Sequence, residues 1–484
     1  MNDEIKIGLD FGTHQTKICV KRTPDEGRGE PNYEFFQFED LQGNKQYFLP
    51  SVIQINDDDT LSYGYVDSNR MKTASEEPTK QKAILEEEFN TAEKAAEIYE
   101  KYATKDNKPE DVNVLSEMLK IRLQNIKARN VAREEEKENL YHIQLKEYRN
   151  AKNIFRYFKQ ATFIGEDWNT ITSIRNKTLC IWYIAYVIFL LEQEYGTNFS
   201  INMGIPTDDS SYDAKKRLAV SIIATAYHLV EDVYENNFEK FLNEKYTDLL
   251  AKTEDQVYSP ELKEEYWINI FPEAYANLTA LTSRGKLPTG MSLTADIGGG
   301  TTDISFFTIE EGLPMIYKYW SIPRGLNYVA ERSGFNYEDG GFRHKAQQDV
   351  IEKFNRKKHE LVFNLVRDLY KKIANETSIP VQNLKEALDN RILVYSGGGS
   401  TFSFLTKPID TFKDVRLIDR TIWNEENVKD KNDVSQLSVL LATAYGLSVC
   451  DNDVDVKLKS YSSLFAHLPK KDENTIEAVS KDQC

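Results

Sequence analysis

Ile5, Ile7 and Leu9 alternate with polar or small residues, the period of a β-strand. Tyr47–Ile53 and Leu61–Tyr65 are two further short runs, so residues 4–66 read as strand-rich. From Glu77 to Lys152 the period changes. Leu85, Phe89, Ala92, Ala96 and Tyr99 recur at helical spacing, and Lys105–Pro109 breaks that helix. Leu115, Leu119, Leu123 and Ile126 begin a second helix, whose middle, Arg129–Glu138, is almost wholly charged before Tyr141, Leu145 and Tyr148 restore an apolar stripe. The pattern predicts a protruding helical hairpin with a solvated charged face. Leu179–Tyr195 reads as a buried helix, because its longest apolar stretch falls short of the roughly twenty residues that span a bilayer. A strand over Phe199–Pro206 and a helix from Asp213 follow. Phe238, Phe241, Leu242, Leu249 and Leu250 predict a second helical insertion over 232–262. Beyond Met291 come a hairpin, a mostly helical stretch over 336–390, a strand at Ile392–Tyr395 and a last helix, Val434–Cys450. That helix carries small residues at Ala442, Ala444 and Gly446, as close packing requires. Strands alternating with helices imply an α/β fold with covered sheets.

Within this pattern one design occurs twice. A strand ends in Asp10, a turn carries Gly12, Thr13 and His14, and Lys17–Val20 returns. Far along the chain a strand ends in Asp296, a turn carries Gly298, Gly299, Gly300, Thr301 and Thr302, and Asp303 leads the return strand Ile304–Thr308. Glycine lets backbone approach an anion, and inward turn amides form a phosphate-binding concavity. Two such turns, each led by an aspartate able to hold a hydrated Mg²⁺, suggest a nucleoside triphosphate gripped from both sides. A third glycine turn, Gly397, Gly398, Gly399 and Ser400, ends a strand and starts a helix. There a purine and ribose have room against bare backbone, with Phe402 either stacking on the base or filling the core.

Composition narrows the classes. The 484 residues suffice for two or more domains. With 61 Lys and Arg against 77 Asp and Glu, the net charge of −16 argues against nucleic acid or an anionic membrane surface as partner. Four scattered cysteines and a start without a signal-peptide pattern lead to an expectation of a cytoplasmic protein. No GxxxxGK[ST] loop, no Gly-x-Gly-x-x-Gly opening a helix, no histidine cluster and no Gly-x-Ser-x-Gly elbow occurs.

These residues carry a family resemblance. Asp10–Thr13 resembles the first phosphate motif of the actin-like ATPase superfamily, Asp296–Asp303 its second, and Ser396–Thr401 its adenosine motif. Met203–Thr207 resembles the connecting strand and Ser438–Leu447 the returning helix. Order and spacing are most similar to the nucleotide-binding domain of the heat shock protein 70 chaperones. The resemblance implies two ribonuclease H-like lobes with helical insertions: lobe I over 1–290, interrupted at 77–152 and 232–262, lobe II over 291–432, a helix at 433–450 returning to lobe I, and a polar tail at 451–484. It implies Asp10 and Asp296 around Mg²⁺, Thr13 on the terminal phosphates, and Thr301 and Asp303 positioning the attacking water. Gly325 joins the nucleotide-contacting set. Lys159 is the candidate phosphate-reaching lysine, with an ordinary surface lysine as the alternative. Glu273 resembles the family's glutamate near the metal, although its proline stands before it and not after; a helix-start carboxylate is the alternative. The adenosine-clamping helix is expected within Val350–Tyr370.

The implied function is a slow, Mg²⁺-dependent ATPase that binds ATP and ADP as a conformational switch, chaperone-like but without a peptide-binding domain. A protein partner would read the switch through the 77–152 hairpin. An actin-like filament protein, a small-molecule kinase and a nucleotide-binding protein that never hydrolyses remain as alternatives.

Overall fold

The computed structural model describes residues 3–24, 29–70, 154–164, 171–206, 212–254, 266–287, 289–322, 325–326, 362–389, 391–401, 406, 414–417, 427–435, 437–451 and 456. The 77–152 hairpin, Thr207, Phe402 and most of Val350–Tyr370 lie outside them.

Two mixed sheets organise the chain. In the first, β1 (Glu4–Phe11), β2 (Gln15–Thr23) and β3 (Asn32–Phe35) form an antiparallel meander. β4 (Ser200–Ile205) adds parallel to the free side of β1, and β5 (Ile268–Pro272) parallel to β4. In the second, β6 (Ser292–Ile297), β7 (Thr302–Glu310) and β8 (Leu313–Ile322) repeat the meander. β9 (Ile392–Ser396) and β10 (Asp414–Leu417) again add in parallel on the far side of the leading strand. The strand orders β5-β4-β1-β2-β3 and β10-β9-β6-β7-β8 are therefore one topology used twice. The protein is a mixed α/β protein, and the repeat first visible in two hairpins extends to whole sheets.

Five helices matter for the site. α1 (Phe158–Ile164) is short; α2 (Ile171–Tyr195) and α3 (Tyr212–His228) cover one face of the first sheet, burying Ile7, Leu9 and Phe11. α4 (Glu273–Thr282) and α5 (Ser438–Val449) cover its other face. Their core continues into Phe307, Ile316 and Val394 of the second sheet, so this helix pair lies between the sheets. Tyr370, on the helix Val362–Thr377, packs on Phe306 from the opposite side of that sheet.

Packing between α4 and α5 is close because the residues there are small. A methyl group on Gly446 would collide with the Ala276 carbonyl, and one on Gly8 with the backbone at Ala444 and Ser448. Gly446→Ala is expected to cost about 1–3 kcal/mol through overpacking, read as a lower denaturation midpoint with unchanged slope. A midpoint equal to the parent's would show that the helix pair can separate freely.

Two expectations need correction. The last helix is two: Lys431–Ser435 and α5, with Leu437 capping the second. The apolar run Tyr47–Ile53 splits into Leu49–Pro50, on β2, and Val52–Ile55 in a separate small sheet. Over the described part of 232–262, Phe238–Leu242 and Tyr246–Glu254 pack into the first core and do not project from it. Phe238 lies against Phe189, and Trp182 Nε1 donates to Thr253 Oγ1 at 2.8 Å. This apolar set packs against α2. Among the described residues, no helix is long and apolar enough to cross a membrane.

Candidate functional site

The two repeated turns meet. In the first, Gly12 and His14 are held through their carbonyls by Ser51, whose Oγ donates to Gly12 O at 2.7 Å and whose amide donates to His14 O at 2.8 Å. In the second, Gly298 N donates to Thr301 O at 2.9 Å and closes the hairpin, while Thr302 is buried at the start of β7. Leu326 N donates to Gly298 O at 2.9 Å. Gly325 has no room for a side chain, since a methyl there would stand 2.5 Å from Gly298 O and 2.7 Å from Gly299 O. Across the junction the His14 ring lies directly against Gly299, and its other flank meets Tyr157 edge-on at 5.0 Å. A methyl on Gly300 would stand 2.9 Å from Thr13 Oγ1.

The third turn closes on the same place. Gly397 takes φ +75° and presses on the Asp296 carboxylate, where any Cβ would collide. Ser400 donates to Gly397 O through both N, at 3.1 Å, and Oγ, at 2.7 Å, which starts a short 3-10 helix over Gly398–Thr401. Gly399 and Ser400 are buried within it.

Charge is concentrated at this junction. Asp10 is nearly buried and accepts from Lys17 Nζ at 2.8 Å. Lys159 on α1 is 4% exposed and donates to Glu273 Oε1 at 2.5 Å. Burial alone would depress the Lys159 ammonium, but Glu273, Asp10 and Asp303 outweigh it and hold its pKa above the ordinary value. The surface alternative for Lys159 is therefore excluded. Glu273 is both the first residue of α4 and the half-buried ion-pair partner of Lys159. Asp303 accepts from Thr301 Oγ1 at 3.1 Å through Oδ2, and Ser321 is a second hydroxyl neighbour of its carboxylate. Burial first, then the negative charge of Glu273, pushes the Asp303 carboxyl up to about 7. Asp296 is pushed well above the carboxylate range by burial and by the charges of Asp303, Glu273 and Asp10. Asp10 and Asp296, from different sheets, thus feel one another across a single crevice.

Three participants were not foreseen. Lys17 stands directly opposite Asp10 in the β1–β2 register, so counting across the hairpin finds it. Asn277, one turn after Glu273 on α4, is 2% exposed and donates to Asp296 Oδ2 at 2.6 Å. Gln160, beside Lys159, donates through Nε2 to Gly300 O at 2.9 Å and so ties α1 to the second turn. Neither amide bond leaves a sequence signal, because each joins distant segments.

Among the described residues, no three His, Cys, Asp or Glu side chains are grouped so as to hold a metal ion directly. Two carboxylates from opposite sides suit a cation that keeps most of its water, as Mg²⁺ does. Chemically, the arrangement joins two amide-bearing turns, paired carboxylates and a buried ammonium, a set suited to a polyphosphate with its counter-ion. The chain matches no protein-family model and no curated protein.

Proposed function

We propose that this protein binds ATP and ADP with Mg²⁺ and hydrolyses ATP slowly, using the nucleotide to control a conformational switch. The observation that carries the reading is the meeting of the Asp10 and Asp296 turns beside the buried Lys159, at a junction rich in opposed charge. In this reading the two sheets are the lobes of an actin-like ATPase, and their shared topology supports it.

Asp10 and Asp296 would hold the cation through its water, and the cation would supply charge neutralisation to the phosphates. Thr13 and the amides of both turns donate to phosphate oxygens. Lys159 and Lys17 bring positive charge from the first-sheet side. The adenosine lies along Gly397–Ser400. A water molecule forms a bond from its oxygen to the γ-phosphorus, and the bond from that phosphorus to the β–γ bridging oxygen breaks. The bonding pair leaves with ADP, phosphate is released, and Asp303 accepts the water's proton. Loss of the γ-phosphate removes the group that both turns grip, which lets the lobes part. A protein partner reads that change.

Calorimetric titration with ATP, ADP and a non-hydrolysable analogue, each with and without Mg²⁺, tests the reading. Binding is expected for all three and is expected to tighten with the cation. Asp296→Ala is expected to abolish phosphate release while the protein remains folded. Unchanged turnover in that variant, or no binding by the parent, removes the proposal.

A further inference from the structure

Gln160 is 3% exposed, yet only one end of its amide is used. Nε2 is committed to Gly300 O, whereas the buried Oε1 has no hydrogen-bond partner. A buried acceptor without a donor costs about 1–3 kcal/mol, so packing alone does not account for an amide at this position. The orphan oxygen points to a missing donor.

Its surroundings say which donor. A methyl on Gly300 would stand 2.7 Å from Gln160 Oε1 and 2.9 Å from Thr13 Oγ1, so Oε1 sits where the two turns meet. Other buried acceptors at this junction are Asn277 Oδ1 and the Asp303 carboxylate, which has the hydroxyls of Thr301, the residue after Gly300, and Ser321 as hydrogen-bonding neighbours. Lys159, the preceding residue on α1, feels the Asp303 charge. A water molecule seated where the two turns meet has an O–H to give to the Gln160 amide oxygen.

We infer that Gln160 orients the attacking water, its amide oxygen accepting one O–H while its amide nitrogen, tied to Gly300, fixes the direction in which that oxygen points. The inference rests on the ATP-hydrolysing reading given above. An amide does not take the proton at neutral pH. The water's proton goes to Asp303 as its oxygen bonds to the γ-phosphorus and ADP departs with the bonding pair. Gln160 lowers the barrier by holding the water in line, the role that positioning residues fill in phosphoryl transfer. Its place on α1 adds a consequence. The water is aligned only while α1 and the second turn are bonded, so hydrolysis requires the closed junction.

The test uses the full chain, with Mg-ATP affinity from calorimetry and single-turnover phosphate release. Gln160→Met keeps the volume and removes both amide functions. It is expected to slow the chemical step on the order of 10²-fold and to change the Kd for Mg-ATP less than about threefold. Gln160→Glu keeps an acceptor oxygen and is expected to retain more of the rate than Gln160→Met. A Gln160→Met protein that hydrolyses at the parent rate overturns the inference and leaves the functional reading intact. Equal loss of affinity and rate also overturns it, since that is what a purely structural tie between the turns would give. A parent protein that binds Mg-ATP without hydrolysing it overturns the inference, and one that does not bind Mg-ATP overturns the reading as well.

Discussion

Lys159→Met is expected to destabilise the folded protein by about 3–5 kcal/mol, the cost of leaving a buried charge without its partner. Lys159 is enclosed at the junction, and its bond to Glu273 joins α1 to α4. Without the ammonium, Glu273 faces Asp303 and Asp296 with no cation interposed, and both of those carboxyls already feel its charge. Glu273→Leu introduced into the same protein is expected to recover most of the loss, because an apolar pair of similar volume replaces an ion pair at little or no net cost. Urea denaturation of the parent, the two single variants and the double variant gives the coupling directly. Additive single effects, or a Lys159→Met midpoint indistinguishable from the parent, would show that the pair does not hold the junction.

Asp303→Asn is expected to separate stability from turnover. In the fold this carboxyl titrates at about 7, against 3.8 for an unhindered aspartate. Across that window the folded protein retains a proton that the unfolded chain has released. Stability therefore falls as pH rises from about 4 to about 7, and the deficit persists above it, on the order of 2–4 kcal/mol. Asparagine carries no charge to bury. The variant should melt several degrees above the parent at about pH 8 and level with it at about pH 4. Its phosphate release should drop on the order of 10²-fold or more, since the proton acceptor is gone. Thermal melts at the two pH values, alongside single-turnover assays, check both halves. A variant melting below the parent at pH 8 would mean that the Asp303 charge supports the fold, contrary to its surroundings.

How much of this was legible in the sequence depended on distance along the chain. Both hairpins were readable because each is local: apolar alternation gives the strands, glycines give the turns, and the carboxylate falls at the strand end. Lys17 was within reach of the same reasoning, as strand register places it opposite Asp10. Asn277 and Gln160 were not. Each bonds to a residue far away in sequence, 19 and 140 positions respectively, and an isolated amide on a helix gives no periodic sign of its partner. The packing partner of the segment after Glu231 was hidden for a related reason. Phe238, Phe241 and Leu249 announce an apolar face, but the face they meet, on α2, lies outside the local window. The topological identity of the sheets was hidden because β4, β5, β9 and β10 are reached by crossovers of differing length, which pattern alone does not align.

Helix α4 holds one crevice wall with Glu273 and the other with Asn277, a single turn apart. The spacing makes the helix an escapement. If it travels with the first sheet when the walls separate, the amide must let go of Asp296; if it travels with the second, the carboxylate must let go of Lys159. If the proposed opening occurs, each direction of travel would expose a different charge to solvent, so the open form would carry an electrostatic signature of which grip was released.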